Sequence, residues 1–406
     1  MLPPTAPARR RQFTFIAPAG RFKQRRRKKA RAPGMSDDPS PRWRETRRAV
    51  TIFDVARRAG VSTATVSRAL AAPAQVAEAT RNKVFAAIAA TGYTPNATAR
   101  NLRSKSTKMV LALLPGLGNS FWNVIINAVE EVLAKAGYGV IFGDTRKDPW
   151  REKHYDQLVR GGQVDGVLLF TGRLPREGFA LLDRTIPITL VCNEVPGLED
   201  LPLFEINNRE AAREMTEHLI GKGHRRIAHI TGPATNPEAR ERLRGYADAL
   251  TAAGLPIADE LIWPGDFNFE SGVTGAGRFL ALCDKPTAIF AASDEAAVGC
   301  IKVLKDGGYA VPRDVSVAGF DGIDYSALYE PALTTVLQPR AELGRRAAEN
   351  LVRRMDRNAA PEPPSRTRLR CTLVIRDSVA APAARAEVVT AERRAGAKAR
   401  AARAAR

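Results

Sequence analysis

Nine apolar runs separated by amphipathic stretches constrain this chain more than any other feature. They read VLALLP (110–115), YGVIFGD (138–144), VDGVLLF (164–170), IPITLVCN (186–193), RIAHITG (226–232), TAIFAASD (287–294), VSVAGFD (315–321), TTVLQ (334–338) and CTLVI (371–375). Between them lie stretches such as NVIINAVEEVLAKAG at 123–137, apolar on one helical face only. Strand–helix alternation of this kind predicts parallel sheets with helices on both faces. The length allows two such units, and ligands of these sheets bind outside the carboxyl ends of the strands. The expected architecture is α/β, with two doubly wound parallel sheets and a cleft between them.

Upstream the pattern is different. Residues 51–91 read as three short helices, Thr51 to Arg58, Ser62 to Leu70 and Glu78 to Thr91. The first two meet at Ala59-Gly60-Val61-Ser62, where Gly60 can adopt positive φ to end one helix and Ser62 can cap the next. That junction is the build of a helix-turn-helix, whose second helix enters a DNA major groove. Ile52, Val55 and Ala56 face the core from the first helix, and Val61, Val66 and Leu70 from the second. In the third, Val84, Phe85, Ile88 and Ala89 are expected to be buried. Ala77 precedes that helix where a Ser or Thr cap would add about 1 kcal/mol. Thr63, Ala64, Ser67 and Arg68 are left outward, small side chains beside one long guanidinium that suits a guanine edge or a phosphate. After Tyr93-Thr94-Pro95, a helix begun at Asn96 puts Ala99 on one face with Leu102 or Arg103, a small residue beside an apolar wedge.

Charge divides the chain in the same way. Residues 1–48 hold 15 basic against 3 acidic residues, residues 49–108 hold 9 against 2, and residues 378–406 hold 7 against 2. The net +20 therefore sits in the head and both tails, while 109–377 is mildly acidic. A basic head suits an anionic partner. Residues 1–48 read as a disordered basic arm with no apolar period, and Met35 is the expected start of the natural chain. Residues 379–406, rich in Ala and Arg, read as a disordered tail.

The function classes narrow accordingly. No Walker loop, HExxH, GxSxG or spaced metal set is present, so no catalytic residue, metal or cofactor is expected. Cys192, Cys283, Cys300 and Cys371 lie at no metal or redox-motif spacing and read as reduced core thiols of a cytoplasmic protein. His224 and His229 flank a strand and read as structural. The uncharged run Met109 to Val129 contains Pro115, Gly116, Gly118 and three Asn, so strand, turn and helix explain it better than a membrane span. A periplasmic-type sugar-binding protein would share the two-sheet domain, but it calls for a secretory signal and no DNA head.

Long collinear motifs make the resemblance specific. TIFDVARRAGVSTATVSRAL, GYTPNATARNLRS, GHRRIAHITGP, ERLRGY, AASDEAAVG and SVAGFDGIDYSALYEPALTTVLQP resemble the LacI family of bacterial transcription repressors across residues 50–377. The resemblance implies a helix-turn-helix domain at 49–95, a hinge helix and linker at 96–108, and a two-subdomain effector-binding and dimerisation domain at 109–378. It implies a homodimer on a palindromic double-stranded DNA operator, at the nucleoid. The implied DNA contacts are Thr51, Ser62, Thr63, Ala64, Thr65, Ser67 and Arg68 in the head and Asn96, Ala99, Leu102 and Arg103 in the hinge, with Leu102 as the base-step wedge. Trp122, Asn193, Asn236, Arg242, Phe267 and Asp294 are the implied ligand residues. Arg242 and Asp294 match positions that contact effector across the family; Trp122 and Phe267 match positions where purine-binding members stack a base. Asn236 stands where those members carry Arg, which argues against a plain purine. LLFTGRLP, CNEVPGLEDLP, GDFNFESG and TTVLQPR are similar to the cytidine-sensing branch, which implies a nucleoside effector; a sugar such as a pentose remains open.

Overall fold

The computed structural model describes residues 50–94, 106–145, 149–170, 186–356, 358–360 and 365–382. The chain divides into two compact units at Pro95/Asn96. The hinge residues Asn96, Ala99, Leu102 and Arg103, the N-terminal arm and the tail beyond residue 382 lie outside the described residues.

The head is three helices, α1 (Ile52–Ala59), α2 (Thr63–Ala71) and α3 (Glu78–Thr91). Thr51 starts α1, its backbone N–H and hydroxyl both donating to the Asp54 carboxylate at 2.9 and 2.7 Å. Gly60 ends it at φ 66°, a conformation that costs a side-chain-bearing residue energy. Ser62 then caps α2, accepting from Thr65 N–H at 3.1 Å. Val55, Ala56, Val66, Ala69, Val84 and Ala87 form the buried core. Two expected core residues of α3 differ: Phe85 is 42% exposed and Ala89 is also exposed. The packed stripe is Val84, Ala87 and Ile88, and in a run as apolar as VFAAIAA periodicity cannot choose between adjacent faces.

The second unit holds twelve strands among the described residues, in two six-stranded sheets. The first sheet contains β1 (Met109–Leu114), β2 (Gly139–Asp144), β3 (Gly166–Leu169), β4 (Ile188–Val191), β5 (Leu203–Ile206) and β11 (Arg366–Leu369), in the order β11-β5-β4-β3-β1-β2. The second contains β6 (Ile227–Ile230), β7 (Ile262–Trp263), β8 (Ala288–Ala291), β9 (Ser316–Asp321), β10 (Thr334–Leu337) and β12 (Thr372–Val374), in the order β12-β10-β9-β8-β6-β7. All pairs are parallel except β10–β12. The antiparallel edge strand β12 follows β11 of the other sheet after only Arg370 and Cys371. The helices are α4 (Phe121–Lys135), α5 (Pro149–Arg160), α6 (Asn208–Gly221), α7 (Pro237–Ala252), α8 (Phe269–Ala281), α9 (Asp294–Asp306) and α10 (Arg340–Met355). None is long and apolar enough to cross a membrane.

Strands β5, β7 and β11 were not among the nine runs. The chain crosses between the sheets three times, after β5, after β10 and between β11 and β12. In each sheet the order reverses beside the first strand, at β1/β3 and at β6/β8. A parallel sheet opens a crevice at such a reversal, so the loops after β1, β6 and β8 are candidates for lining a ligand site.

Candidate functional site

In the head, the outward face of α2 is shallow. Ala64 and Arg68 are exposed, and Thr63, Thr65 and Ser67 are half-buried. The Ser62 and Thr65 hydroxyls lie 2.9 Å apart and fix each other beside the cap. Thr51, at the start of α1, is held by Asp54. The described head has five basic residues (Arg57, Arg58, Arg68, Arg81, Lys83) against Asp54 and Glu78, which leaves a surface suited to a polyanion.

In the second unit the site is built around Arg242. The side chain is 3% exposed, reached from the second turn of α7. Its Nε donates to Asn208 Oδ1 at 2.8 Å and Nη1 to the Ala292 carbonyl at 2.5 Å, with Asp321 Oδ1 at 3.3 Å. The guanidinium lies 3.8 Å from the Phe320 ring centre and 5.1 Å from that of Phe267. A planar cation sandwiched in this way keeps its orientation as well as its charge. Asp321 also accepts from Gln338 Nε2 at 2.8 Å. Burial pushes its carboxyl up to about 7, against the opposing pull of Arg242.

Asp294 begins α9 and is fully buried. One oxygen accepts from Ile323 N–H at 2.8 Å and the other from the Thr335 hydroxyl, so here it ties α9 to β10 and to the loop after β9. Burial, then the charge of Asp321, raises its pKa. Phe267 has φ 59°, and its ring fills the space a side chain at Gly232 would occupy, within 2.2 Å of the Cβ position. Asn236 caps α7 by accepting from Ala239 N–H at 3.0 Å.

The opposite lobe supplies Trp122 and Asn193. Trp122 is buried in the first turn of α4, edge-on to Phe121 (4.9 Å) and Phe170 (5.7 Å). Asn193, 3% exposed, follows β4 and reaches across: its Nδ2 lies 3.4 Å from Glu238 Oε2 on α7. Asn193 Oδ1 is buried with no partner. Arg340, at the second crossing, donates to Phe121 O at 3.4 Å on one lobe and to Gly322 O at 2.8 Å on the other. Glu194 turns away to Arg366.

The structure thus links Asn193 and Asn236 to Glu238 and stacks Arg242 on Phe267 where the two lobes meet, while Asp294 is tied within its own lobe and Trp122 is packed in the opposing one. Sequence reasoning missed Asn208, Glu238 and Asp321. Asp321 closes the strand run VSVAGFD, and its place at a strand end was the available signal. Cys192, Phe267 and Asp321 all take positive φ (70°, 59° and 119°) at this end of the sheets. Such backbone costs about 1–3 kcal/mol each and persists where the surroundings impose it. His224 and His229 pack into the fold. His229 stacks on Tyr246 and pairs with the Phe290 carbonyl, and His224 bridges Thr287 and Ala380; burial pushes both down to about 4. Cys192, Cys300 and Cys371 are buried free thiols, but Cys283 is exposed rather than in the core.

Comparison with known proteins places both units. Residues 51–96 match the model of bacterial regulatory proteins of the lacI family, and residues 216–379 match a periplasmic binding protein-like domain. The chain is 38% identical over 334 residues to the HTH-type transcriptional repressor CytR of Escherichia coli (strain K12), covering 82% of this chain and 97% of that protein. Among solved structures, the lac repressor dimer bound to operator and the anti-inducer ONPF is similar at TM-score 0.72 and 28% identity, covering 82% of this chain and 100% of that one. The transcriptional regulator CelR–cellobiose complex is similar at TM-score 0.61 and 33% identity, covering 81% and 99%.

Proposed function

Because the chain belongs to the LacI family of bacterial transcriptional regulators, we propose that it represses transcription in the cytoplasm as a homodimer on a palindromic operator, released or engaged by a nucleoside. One head reads only a few base pairs, so two half-sites are needed for a specific site. The likeness to the operator-bound lac repressor dimer supports this arrangement. Arg68, Thr63 and Ala64 read bases, and the hinge from Asn96 to Arg103 inserts Leu102.

The observation that carries the effector reading is the contact of Asn193 with Glu238 across two lobes joined by three crossings. A small molecule held by both lobes sets the angle between them and so biases one DNA-competent state. The local strings similar to the cytidine-sensing branch and the 38% identity to CytR support the nucleoside reading. The second reading, a sugar, is favoured by the hydrogen-bonding character of the cleft and by the likeness to the cellobiose complex of CelR.

Fluorescence anisotropy of a labelled palindromic duplex tests both. Cytidine is expected to change the DNA affinity of the full chain, and the duplex must change cytidine affinity by the same factor. A response to ribose or cellobiose with none to cytidine or adenosine replaces the nucleoside by a sugar.

A further inference from the structure

We propose that Asp165 is a clamp that fixes where the chain from the DNA-binding head enters the sensor, and that recognition of a specific DNA sequence depends on it. The covalent path from the head runs through residues 96–105 and reaches the described sensor at Ser106. Three consecutive residues there close on one carboxylate. The Ser106 hydroxyl donates to Asp165 Oδ2 at 2.5 Å and the Lys108 N–H to the same oxygen at 2.9 Å. The Thr107 N–H and hydroxyl both donate to Oδ1, at 2.7 and 2.9 Å. Burial pulls the Asp165 pKa up, but these hydrogen bonds together outweigh it and hold the carboxyl below its usual range, so it is charged at neutral pH.

Backbone pairing alone would start β1. Gly139 N–H donates to the Lys108 carbonyl at 2.8 Å and Asp165 N–H to the Met109 carbonyl at 2.7 Å. The Asp165 side chain adds a second lock, on the three residues before the strand. Lys108 sits there at φ 55°, a region that costs a side-chain-bearing residue energy and persists where the surroundings impose it. The clamp lies at the amino ends of β1 and β3, which pair in register from Val110 and Gly166. Their carboxyl ends lead to Trp122 and Phe170, whose rings lie 5.7 Å apart. Two paired strands move as one body, so a turn of this lobe carries the chain's entry point with it while the clamp is closed. Released, the residues before β1 sample more arrangements, and that freedom must be given up when two half-sites are engaged.

Fluorescence anisotropy of the full chain tests the clamp, with a palindromic duplex selected by the wild-type chain from a random pool and an unrelated duplex of equal length. Asp165→Asn is expected to weaken the selected duplex at least about tenfold and the unrelated one less than about twofold. That direction is diagnostic, because removing a negative charge would by Coulomb attraction alone strengthen binding to every duplex. Thr107→Val removes one of the four donors and should lose about threefold on the selected duplex. The ligand arm rests on the nucleoside reading above: cytidine affinity without DNA should stay within about twofold in Asp165→Asn, while the effect of cytidine on the selected duplex shrinks. Unchanged or tighter binding of the selected duplex by Asp165→Asn overturns the clamp, as does equal weakening on both duplexes. If Asp165→Asn loses its cooperative thermal melt, Thr107→Val decides, and no loss on the selected duplex then overturns the clamp. If cytidine alters no duplex affinity of the wild type, the nucleoside reading fails while the two duplexes still decide on the clamp.

Discussion

Two arginines show how differently the head and the sensor use charge. Arg68 stands exposed on α2, in a head with few acidic side chains. Arg242 is buried and held by Asn208, the Ala292 carbonyl and Asp321, between two aromatic rings. An exposed guanidinium keeps its hydration until a partner's charge displaces counterions, so its energy appears on binding. A buried one has already lost its water, so its energy is built into the fold and into the shape of the cleft. The head therefore tolerates surface change with little loss of stability and large loss of recognition. In the cleft, stability and recognition are lost together.

The largest effect expected from this contrast is Arg242→Ala. It strands Asp321 and Asn208 in a buried setting and should cost about 3–5 kcal/mol of sensor stability. Urea unfolding followed by tryptophan fluorescence reads it, because Trp122 and Trp263 are buried in this unit. Effector binding should vanish in the same variant. A loss below about 1 kcal/mol would show the pair to be solvated, and the contrast between the two arginines would collapse.

Arg68→Ala is the matched change in the head. Operator affinity should fall by about 1–3 kcal/mol, with relaxed preference at one base position. Sensor unfolding should shift by less than about 0.5 kcal/mol. Equal weakening on every duplex would make Arg68 a phosphate contact and would shift base reading to Thr63 and Ala64.

What could be read from the chain differs in the same way between local and long-range features. The cap at Ser62, the turn at Gly60 and the uncapped start of α3 depend on residues within four positions of one another, and all three were legible. Phe85 was misplaced because the unbroken apolar run VFAAIAA within α3 carries no phase. Strands β5 and β11 were missed because Glu205, Arg366 and Arg368 make LFEI and RTRL read as polar; folded, those charges pair across neighbouring strands at 2.6 Å. In the cleft, Arg242 and Asp294 were reached through family motifs. Glu238 and Asp321 were not, since their side-chain partners lie 45 and 79 residues away. No window of sequence shows that a carboxylate will face an amide from another lobe.

Ala77→Ser is the smallest effect and the sharpest probe of that local layer. Ala77 occupies the N-cap of α3 with φ −51° and ψ 136°, near the backbone a capping serine uses, and no side chain satisfies the first-turn N–H groups. It is exposed, so a hydroxyl meets no packing cost there. The neighbouring α2 already has such a cap in Ser62. The substitution should stabilise the head by about 1 kcal/mol and raise hydrogen-exchange protection at Ala79 and Thr80, while effector affinity stays unchanged. Ser62→Ala should do the reverse at Thr65. If Ala77→Ser gains nothing while Ser62→Ala costs about 1 kcal/mol, the first turn of α3 is satisfied by water, and the two helix starts of the head differ in what closes them.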